Sequence, residues 1–293
     1  MKRSASLLPD KMATRKGLLA LAEHVLRSAG IEEAGEEARR ILEDVLGIKK
    51  QELCLAPGAE VPESGEKCFL KIIDERKTRK PLAYLLKRAY FRNESLFVNE
   101  ACLIPRPETE ILVDSVARQI INDEEISILD IGTGPGTIAV SLLRMLPKTR
   151  ATLLDISGEA LDAAGRNLGR YGLQDRAKLV KGDLFSAFDE ESKWDVIVSN
   201  PPYLTTAELE NAQPELKFEP ECALDGGKDG LDFYRIIVPS AWRHLGSGGL
   251  LAFEVGAGQA ETVSTWLRDA GYDNIQRFRD YLQIERVVIA RKP

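Results

Sequence analysis

The residues best suited to chemistry stand together as Asn200-Pro201-Pro202-Tyr203, at the end of the apolar stretch WDVIVSN (194–200). That stretch reads as a strand, and proline, which fixes φ and has no N–H, must end it. Asn200 offers a side-chain oxygen, and Pro201 a carbonyl with no competing donor beside it. Two such acceptors can take both N–H hydrogens of a planar nitrogen, localise its lone pair and aim it at an electrophilic carbon. Tyr203 can stack on the flat group that carries this nitrogen. No strongly basic residue is required, because a planar nitrogen that has gained a substituent and keeps an extra proton is very acidic. The plainer alternative is a diproline turn with Tyr203 in the core.

A second constellation is Asp130-Ile131-Gly132-Thr133-Gly134-Pro135-Gly136, which follows a strand-like run and opens a helix-like one. Glycines there let the chain turn sharply and let a ligand approach the main chain. The spacing is G-x-G-x-G. Residue 137 is threonine, so the G-x-G-x-x-G of dinucleotide binders is absent and a nicotinamide enzyme is disfavoured. Asp155 ends the next strand-like run, where it can accept hydrogen bonds from ribose hydroxyls, and Asp183 ends the third, within reach of an adenine amino group. Either acid alone could merely cap a helix or turn. Beside the glycine loop, the pair favours a nucleoside lying across the sheet edge. With no P-loop lysine and no basic cluster to hold phosphates, S-adenosylmethionine fits better than a nucleotide. Methyl transfer from its sulfonium is an in-line displacement, which leaves an amide nitrogen and a nucleobase nitrogen equally plausible as the acceptor.

These residues need a scaffold that gathers strand ends. Strand-like runs occur at 126–132, 151–155, 177–183, 194–200, 249–255 and 286–292, separated by helix-like stretches such as TIAVSLLRML and GEALDAAGRNLGRYG. This alternation predicts an α/β fold with a mostly parallel sheet and helices on both faces, its ligands beyond the carboxyl ends of the strands. Upstream, GLLALAEHVLRSAG (17–30), EEAGEEARRILEDVLG (32–47) and GEKCFLKIIDERKTRK (65–80) predict a small helical bundle. The stretch 81–110 predicts a connecting hairpin or short strands. The expected organisation is a helical domain over 1–80, a connector over 81–110 and a catalytic domain over 111–293.

Composition narrows the class. With 44% hydrophobic and 29% charged residues the chain is of ordinary globular type. It has no run of the ~18 apolar residues a membrane span requires. The basic N-terminus lacks an apolar stretch behind it, so a signal peptide is not expected and the cytoplasm is the default location. Cys54, Cys68, Cys102 and Cys222 are widely spaced, and only His24 and His244 could join them; no metal site is expected, and thiols and imidazoles are assigned to packing or surface. Residues 1–80 hold 16 Lys/Arg and 14 Asp/Glu; the remainder holds 24 and 32, a net of −8. That acidity argues against stable nucleic-acid binding. The run Arg76, Lys77, Arg79, Lys80 reads as a solvated helix end, with an acidic patch on a partner as the sharper alternative.

DIGTGPGTIAV, VSNPPYL, FEPECALDGGKDGLDFY (218–234) and LIPRPETE (103–110) together resemble the PrmC/HemK family, which methylates the glutamine amide of peptide chain release factors. The resemblance covers about residues 81–293, and the helical N-terminus fits that family's small substrate-recognition domain in kind. It implies a Rossmann-like, seven-stranded S-adenosylmethionine-dependent methyltransferase domain behind a small α-helical bundle. The cofactor would be held by Gly132, Thr133, Gly134, Pro135, Gly136, Asp155, Asp183, Leu184 and Asn200. The glutamine amide of a Gly-Gly-Gln motif in class I release factors would be held by Asn200, Pro201, Pro202 and Tyr203. Arg106 and Glu108 would lie nearby, in roles the motif does not define. Leu184 departs from the aromatic residue that relatives often carry there. A monomer is expected. The rival reading, a DNA or RNA base amino-methyltransferase, shares the Asn-Pro-Pro-Tyr motif but would need a basic groove or target-recognition domain.

Overall fold

The computed structural model describes residues 13–120 and 125–293. The N-terminal residues on which the signal-peptide expectation rests lie mostly outside them. The chain divides into two compact units, the first ending at Leu86 and the second running from Lys87 to Pro293.

The first unit is helical: α1 (Arg15–Ser28), α2 (Ala34–Leu46), α3 (Lys50–Leu55), α4 (Glu63–Arg76) and α5 (Leu82–Leu85). Thr14 caps α1 by accepting the Gly17 N–H, and Gly47 closes α2 in the left-handed conformation that a β-carbon disfavours. Leu26, Ile41, Leu42 and Phe69 form its buried centre. The basic run is a solvated helix end only in part: Lys77, at the end of α4, is exposed. Arg76 is buried and paired with Glu37 at 2.6 Å, and Arg79 donates to the Gly30 carbonyl. A guanidinium that helices α2 and α4 share is taken out of solvent to join them, which a one-dimensional charge count cannot show.

The second unit begins with a hairpin, β1 (Ala89–Phe91) against β2 (Glu94–Leu96), then α6 (Thr109–Gln119). The sheet follows: β3 (Ser127–Ile131), α7 (Thr137–Met145), β4 (Arg150–Asp155), α8 (Gly158–Arg170), β5 (Ala177–Lys181), β6 (Trp194–Ser199), α9 (Thr206–Glu210), α10 (Asp232–His244), β7 (Leu245–Glu254), α11 (Ala260–Asp269), β8 (Asp273–Arg279) and β9 (Glu285–Arg291). The strand order is β5-β4-β3-β6-β7-β9-β8. The first five strands are parallel, and β9 is antiparallel to both its neighbours.

The apolar runs of the inner strands reflect burial on both faces, while β5 at one edge is mostly exposed. Ile128, Val196, Val198, Leu250 and Ala252 pack on one side with α6, α7 and α8, while Leu129, Ile197, Leu251 and Phe253 pack on the other with α10 and α11. Six strands lie where the apolar runs predict them. The seventh, β8, has the sequence DNIQRFR and is mostly exposed at the sheet edge, so it lacks the apolar signal. His24 is exposed, and His244 is packed against Phe185 with Nδ1 2.9 Å from the Ser192 carbonyl. All four cysteines are free thiols. Among the described residues no helix is long and apolar enough to cross a membrane.

β3 lies inside the sheet between β4 and β6, and both helical layers pack on it. Leu129→Ala should lower stability by ~2–5 kcal/mol through the cavity it leaves; a denaturant midpoint unchanged from wild type would contradict this packing.

Candidate active site

The chain runs from β3 out to β5 and returns to β6 on the other side of β3, which opens a crevice at the carboxyl ends of β3, β4 and β6. Every strand-end residue singled out in the sequence lies along that edge.

The glycine loop is tied to β4, because Gly132 N–H and Thr133 N–H both donate to the Leu154 carbonyl, at 2.9 and 3.0 Å. Gly132 and Gly134 have φ of +68° and +56°, and a β-carbon on either would project into open space. The loop therefore presents bare main chain to the crevice, where a bound group could fill the room that side chains leave. Asp155 accepts from the Gly134 N–H at 2.8 Å and the Ser157 N–H at 2.9 Å. Ser157, not Asp155, caps α8. Burial raises the Asp155 pKa in spite of these bonds. Asp183 is exposed and its side chain caps nothing.

Gly132, Gly134, Asp155, Asp183, Leu184 and Asn200 line one cavity of about 220 Å³, with Phe233 and Ile237 adding apolar wall. The three remaining loop residues brace rather than line it. Thr133 Oγ1 donates to Asp130 at 2.6 Å, the Pro135 carbonyl accepts from Asn167 Nδ2 at 2.8 Å, and Gly136 precedes the first turn of α7. A wider, more polar cavity of about 580 Å³ lies beside it, lined by Arg106, Glu108, Tyr203, Glu219 and Arg286 among others. Asn200 and Pro201 line both cavities.

Asn200 Oδ1 is buried and has no hydrogen-bond partner, while Asn200 Nδ2 donates to Thr109 Oγ1 at 3.2 Å. Ser199 Oγ donates to the Ile131 carbonyl at 2.8 Å and pins the end of β6 to that of β3. Gln259 Nε2 donates to the Tyr203 carbonyl at 2.9 Å. The next residue, Leu204, is tied to the downstream segment, its carbonyl accepting from the Gly226 N–H at 2.8 Å. A β-carbon at Gly230 would fall 2.3 Å from the Tyr203 carbonyl oxygen, so only glycine permits this approach. Glu219 accepts from the Ile104 N–H at 3.0 Å and pairs with Arg106. The three motifs at 103–110, 200–203 and 218–234 are thus one site.

Sequence reasoning missed Thr109, Glu219, Gln259, Glu254 and the role of Asp130. Asp130 is fully buried beneath the loop, with Oδ1 unpartnered and Oδ2 also accepting the Ala139 N–H at 3.2 Å. Glu254 ends β7 behind Tyr203, whose hydroxyl lies 3.5 Å away. Burial pushes both carboxyls up to about 7. A lone acid closing the apolar run LLAFE was the available signal for Glu254. The Tyr203 phenol is raised as well, chiefly by burial and next by the charge of Glu254, and so stays protonated. Among the described residues no cluster of His, Cys, Asp or Glu is arranged to hold a metal ion.

A seven-stranded sheet of this order, with a glycine loop after β3 and a carboxylate at the end of β4, defines the Rossmann-like methyltransferase class. A methyltransferase from Pyrococcus furiosus shares the fold, with a TM-score of 0.51 and 20% identity over 67% of this chain and 89% of that one. The PrmC N-terminal domain model matches residues 17–86, and the methyltransferase small domain model matches 107–216. The chain is 35% identical to the release factor glutamine methyltransferase of Caulobacter vibrioides, over 92% of this chain and 94% of that protein. It is 39% identical to that of Geobacter sulfurreducens, over 91% and 92%. The chain belongs to the release factor glutamine methyltransferase family.

The buried carboxyls carry a pH signature. Asp130 titrates near 7 when folded but near 3.8 in an unfolded chain, so between these values the native state binds a proton that the unfolded state has released. Stability must therefore fall as pH rises through that window, by at most ~1.4 kcal/mol for each pH unit. Urea midpoints of the ligand-free protein should drop between pH 5 and pH 8, and Asp130→Asn should flatten the drop; equal slopes in both proteins would refute the assignment.

Proposed function

We propose that the protein transfers a methyl group from S-adenosylmethionine to the side-chain amide nitrogen of the glutamine in the Gly-Gly-Gln motif of class I peptide chain release factors, acting as a cytoplasmic monomer in support of translation termination. The observation that carries this reading is the unpartnered, buried Oδ1 of Asn200 on the shared wall of the two cavities. An acceptor left open at such a place costs folding free energy, which a ligand N–H would recover.

The residues suit the cofactor. Gly132 and Gly134 leave main chain open, Asp155 and Asp183 offer acceptors to ribose and adenine, and Leu184 and Phe233 supply apolar wall. When bound, S-adenosylmethionine supplies an electrophilic methyl group on a sulfonium. Asn200 Oδ1 and the Pro201 carbonyl accept the two amide hydrogens of the glutamine, which localises the nitrogen lone pair and aims it. Pro201 and Pro202 keep that main chain rigid, and Tyr203 packs against the planar amide. After transfer the nitrogen holds an extra proton that leaves for the water of the open polar cavity. Arg106, held by Glu219, and Glu108 shape the mouth of that cavity.

The helical region over 1–80 is assigned to substrate recognition, with 81–110 as connector and 111–293 as the catalytic domain. The names of the curated relatives support a protein substrate, and the net charge of −8 over residues 81–293 favours it over DNA or RNA bases.

Incubation with labelled cofactor and either a purified release factor or DNA should place the label on the Gly-Gly-Gln glutamine, located by mass spectrometry; label in DNA alone would overturn the proposal. Asn200→Ala should abolish turnover while cofactor affinity stays within about tenfold, or ~1.4 kcal/mol. Surviving turnover would show that Oδ1 is not the acceptor.

A further inference from the structure

Pro201 and Pro202 have no N–H, so across these two residues the corner cannot hold itself by donating hydrogen bonds. It must be held through its carbonyls. The Pro201 carbonyl is the one the reaction uses, which leaves the tie to those that follow. The segment LDGGKDGLD (224–232) is pressed against them: a β-carbon at Gly226 would fall 2.8 Å from the Pro202 carbonyl oxygen, and one at Gly230 2.3 Å from that of Tyr203. The donor that joins the two stretches is Gln259. Its Nε2 donates to the Tyr203 carbonyl at 2.9 Å and to the Gly230 carbonyl at 3.2 Å, while its Oε1 accepts the Gly256 N–H at 2.9 Å.

We infer that Gln259 is a positioning residue, which clamps the Tyr203 end of the corner to the 224–232 segment and to the end of β7 and so fixes how the Pro201 carbonyl and the Tyr203 ring face the polar cavity. This rests on the role proposed above for the corner. The residue type is demanded by its partners. Two carbonyls and one N–H call for two donors and an acceptor on one short side chain, which only a carboxamide supplies; lysine and arginine have no acceptor, and a carboxylate has no donor. The same partners fix which way round the amide stands, since the opposite orientation would set its oxygen against two carbonyls. Gln259 occupies the N-cap position of α11, yet its side chain makes no capping bond to that helix and reaches across to the corner instead. Gly256 leaves room for the clamp, because a β-carbon there would fall 2.9 Å from Gln259 Oε1 and 3.1 Å from Tyr203 Cδ2.

At its other end the corner is pinned by Ser199, whose Oγ donates to the Ile131 carbonyl at 2.8 Å. Between the two pins lie Asn200, Pro201 and Pro202, with the φ angles of both prolines set by their rings. A short segment fixed at both ends cannot swing its acceptors away from the reacting nitrogen. Releasing the Tyr203 end restores that freedom, and a misplacement of about 1 Å at a site that works by alignment costs on the order of 100-fold in rate. Gln259 itself lines neither the cofactor cavity nor the polar one. Its loss is therefore felt through the corner, in kcat, with little change in the binding of the cofactor.

Two variants separate positioning from space-filling. Gln259→Met removes the three bonds and should lower kcat roughly tenfold, whereas Gln259→Glu keeps the shape but turns a carboxylate oxygen on two carbonyls and should lower it about 100-fold, with cofactor Kd within about tenfold in both. Turnover is counted per cofactor-binding site, so that unfolded protein does not enter. A role in packing alone predicts the reverse order, because glutamate is the closer match in shape; Gln259→Glu at least as active as Gln259→Met would overturn the inference. A second readout needs no substrate. Labelling tyrosine carbonyls with 13C and leucine amides with 15N gives cross-peaks from Tyr84-Leu85, Tyr203-Leu204 and Tyr281-Leu282, and the one lost in Tyr203→Phe belongs to the corner. That peak should move in both Gln259 variants while the Tyr84 and Tyr281 peaks stay in place. A Tyr203 peak unmoved in Gln259→Met would also overturn the inference. A wild-type protein that labels no release factor would instead sink the proposed substrate, and the Tyr203 peak would still decide whether Gln259 holds the corner.

Discussion

The site depends on a polar atom that the fold declines to satisfy. Asn200 Oδ1 is buried without a partner, a condition that costs roughly 1–3 kcal/mol in an ordinary interior. It persists because the surroundings over-determine the corner. Ser199 is bonded to the end of β3, Gln259 holds the Tyr203 carbonyl, and Leu204 is laced to Gly226. Two consecutive prolines remove the main-chain freedom with which the corner could relax to find a partner.

The same pattern shapes the cofactor side. The glycine loop crosses from β3 to α7 with its exposed surface stripped of side chains, while Thr133 and the Pro135 carbonyl are bonded to Asp130 and Asn167 behind it. Main-chain donors and acceptors are thereby fixed before any ligand arrives, which is the preorganisation that transfer by alignment requires. Stability is lost locally, in Asp130, Glu254 and Asn200, and offset by a sheet packed on both faces.

Legibility differed among elements for identifiable reasons. The inner strands, buried on two sides, left near-continuous apolar runs, and the exposed edge strand β5 was still marked by the short run AKLV, so six of the seven could be read directly; the other edge strand, β8, charged and exposed, left no run. Asn200, Asp155 and Asp183 were legible because a polar residue closing an apolar run is conspicuous. Arg76 was misread because its partner Glu37 is remote in sequence, and the pair meets only when α2 packs on α4. Glu219 was visible as part of a motif, yet its bonds to Ile104 and Arg106 span more than a hundred residues.

The sequence by itself determined which atoms are on offer: an acceptor pair at Asn200 and Pro201, a side-chain-free loop at Gly132 and Gly134, acids at successive strand ends. Those follow from residue type and local spacing, which one dimension records. Only the tertiary structure decided that Asn200 lies on the wall common to two cavities, that Asp155 is bonded to the glycine loop, and that Thr109 stands behind the amide. These depend on the order in which strands lie side by side, and hydrogen bonds between residues far apart in the chain form only once that order is set.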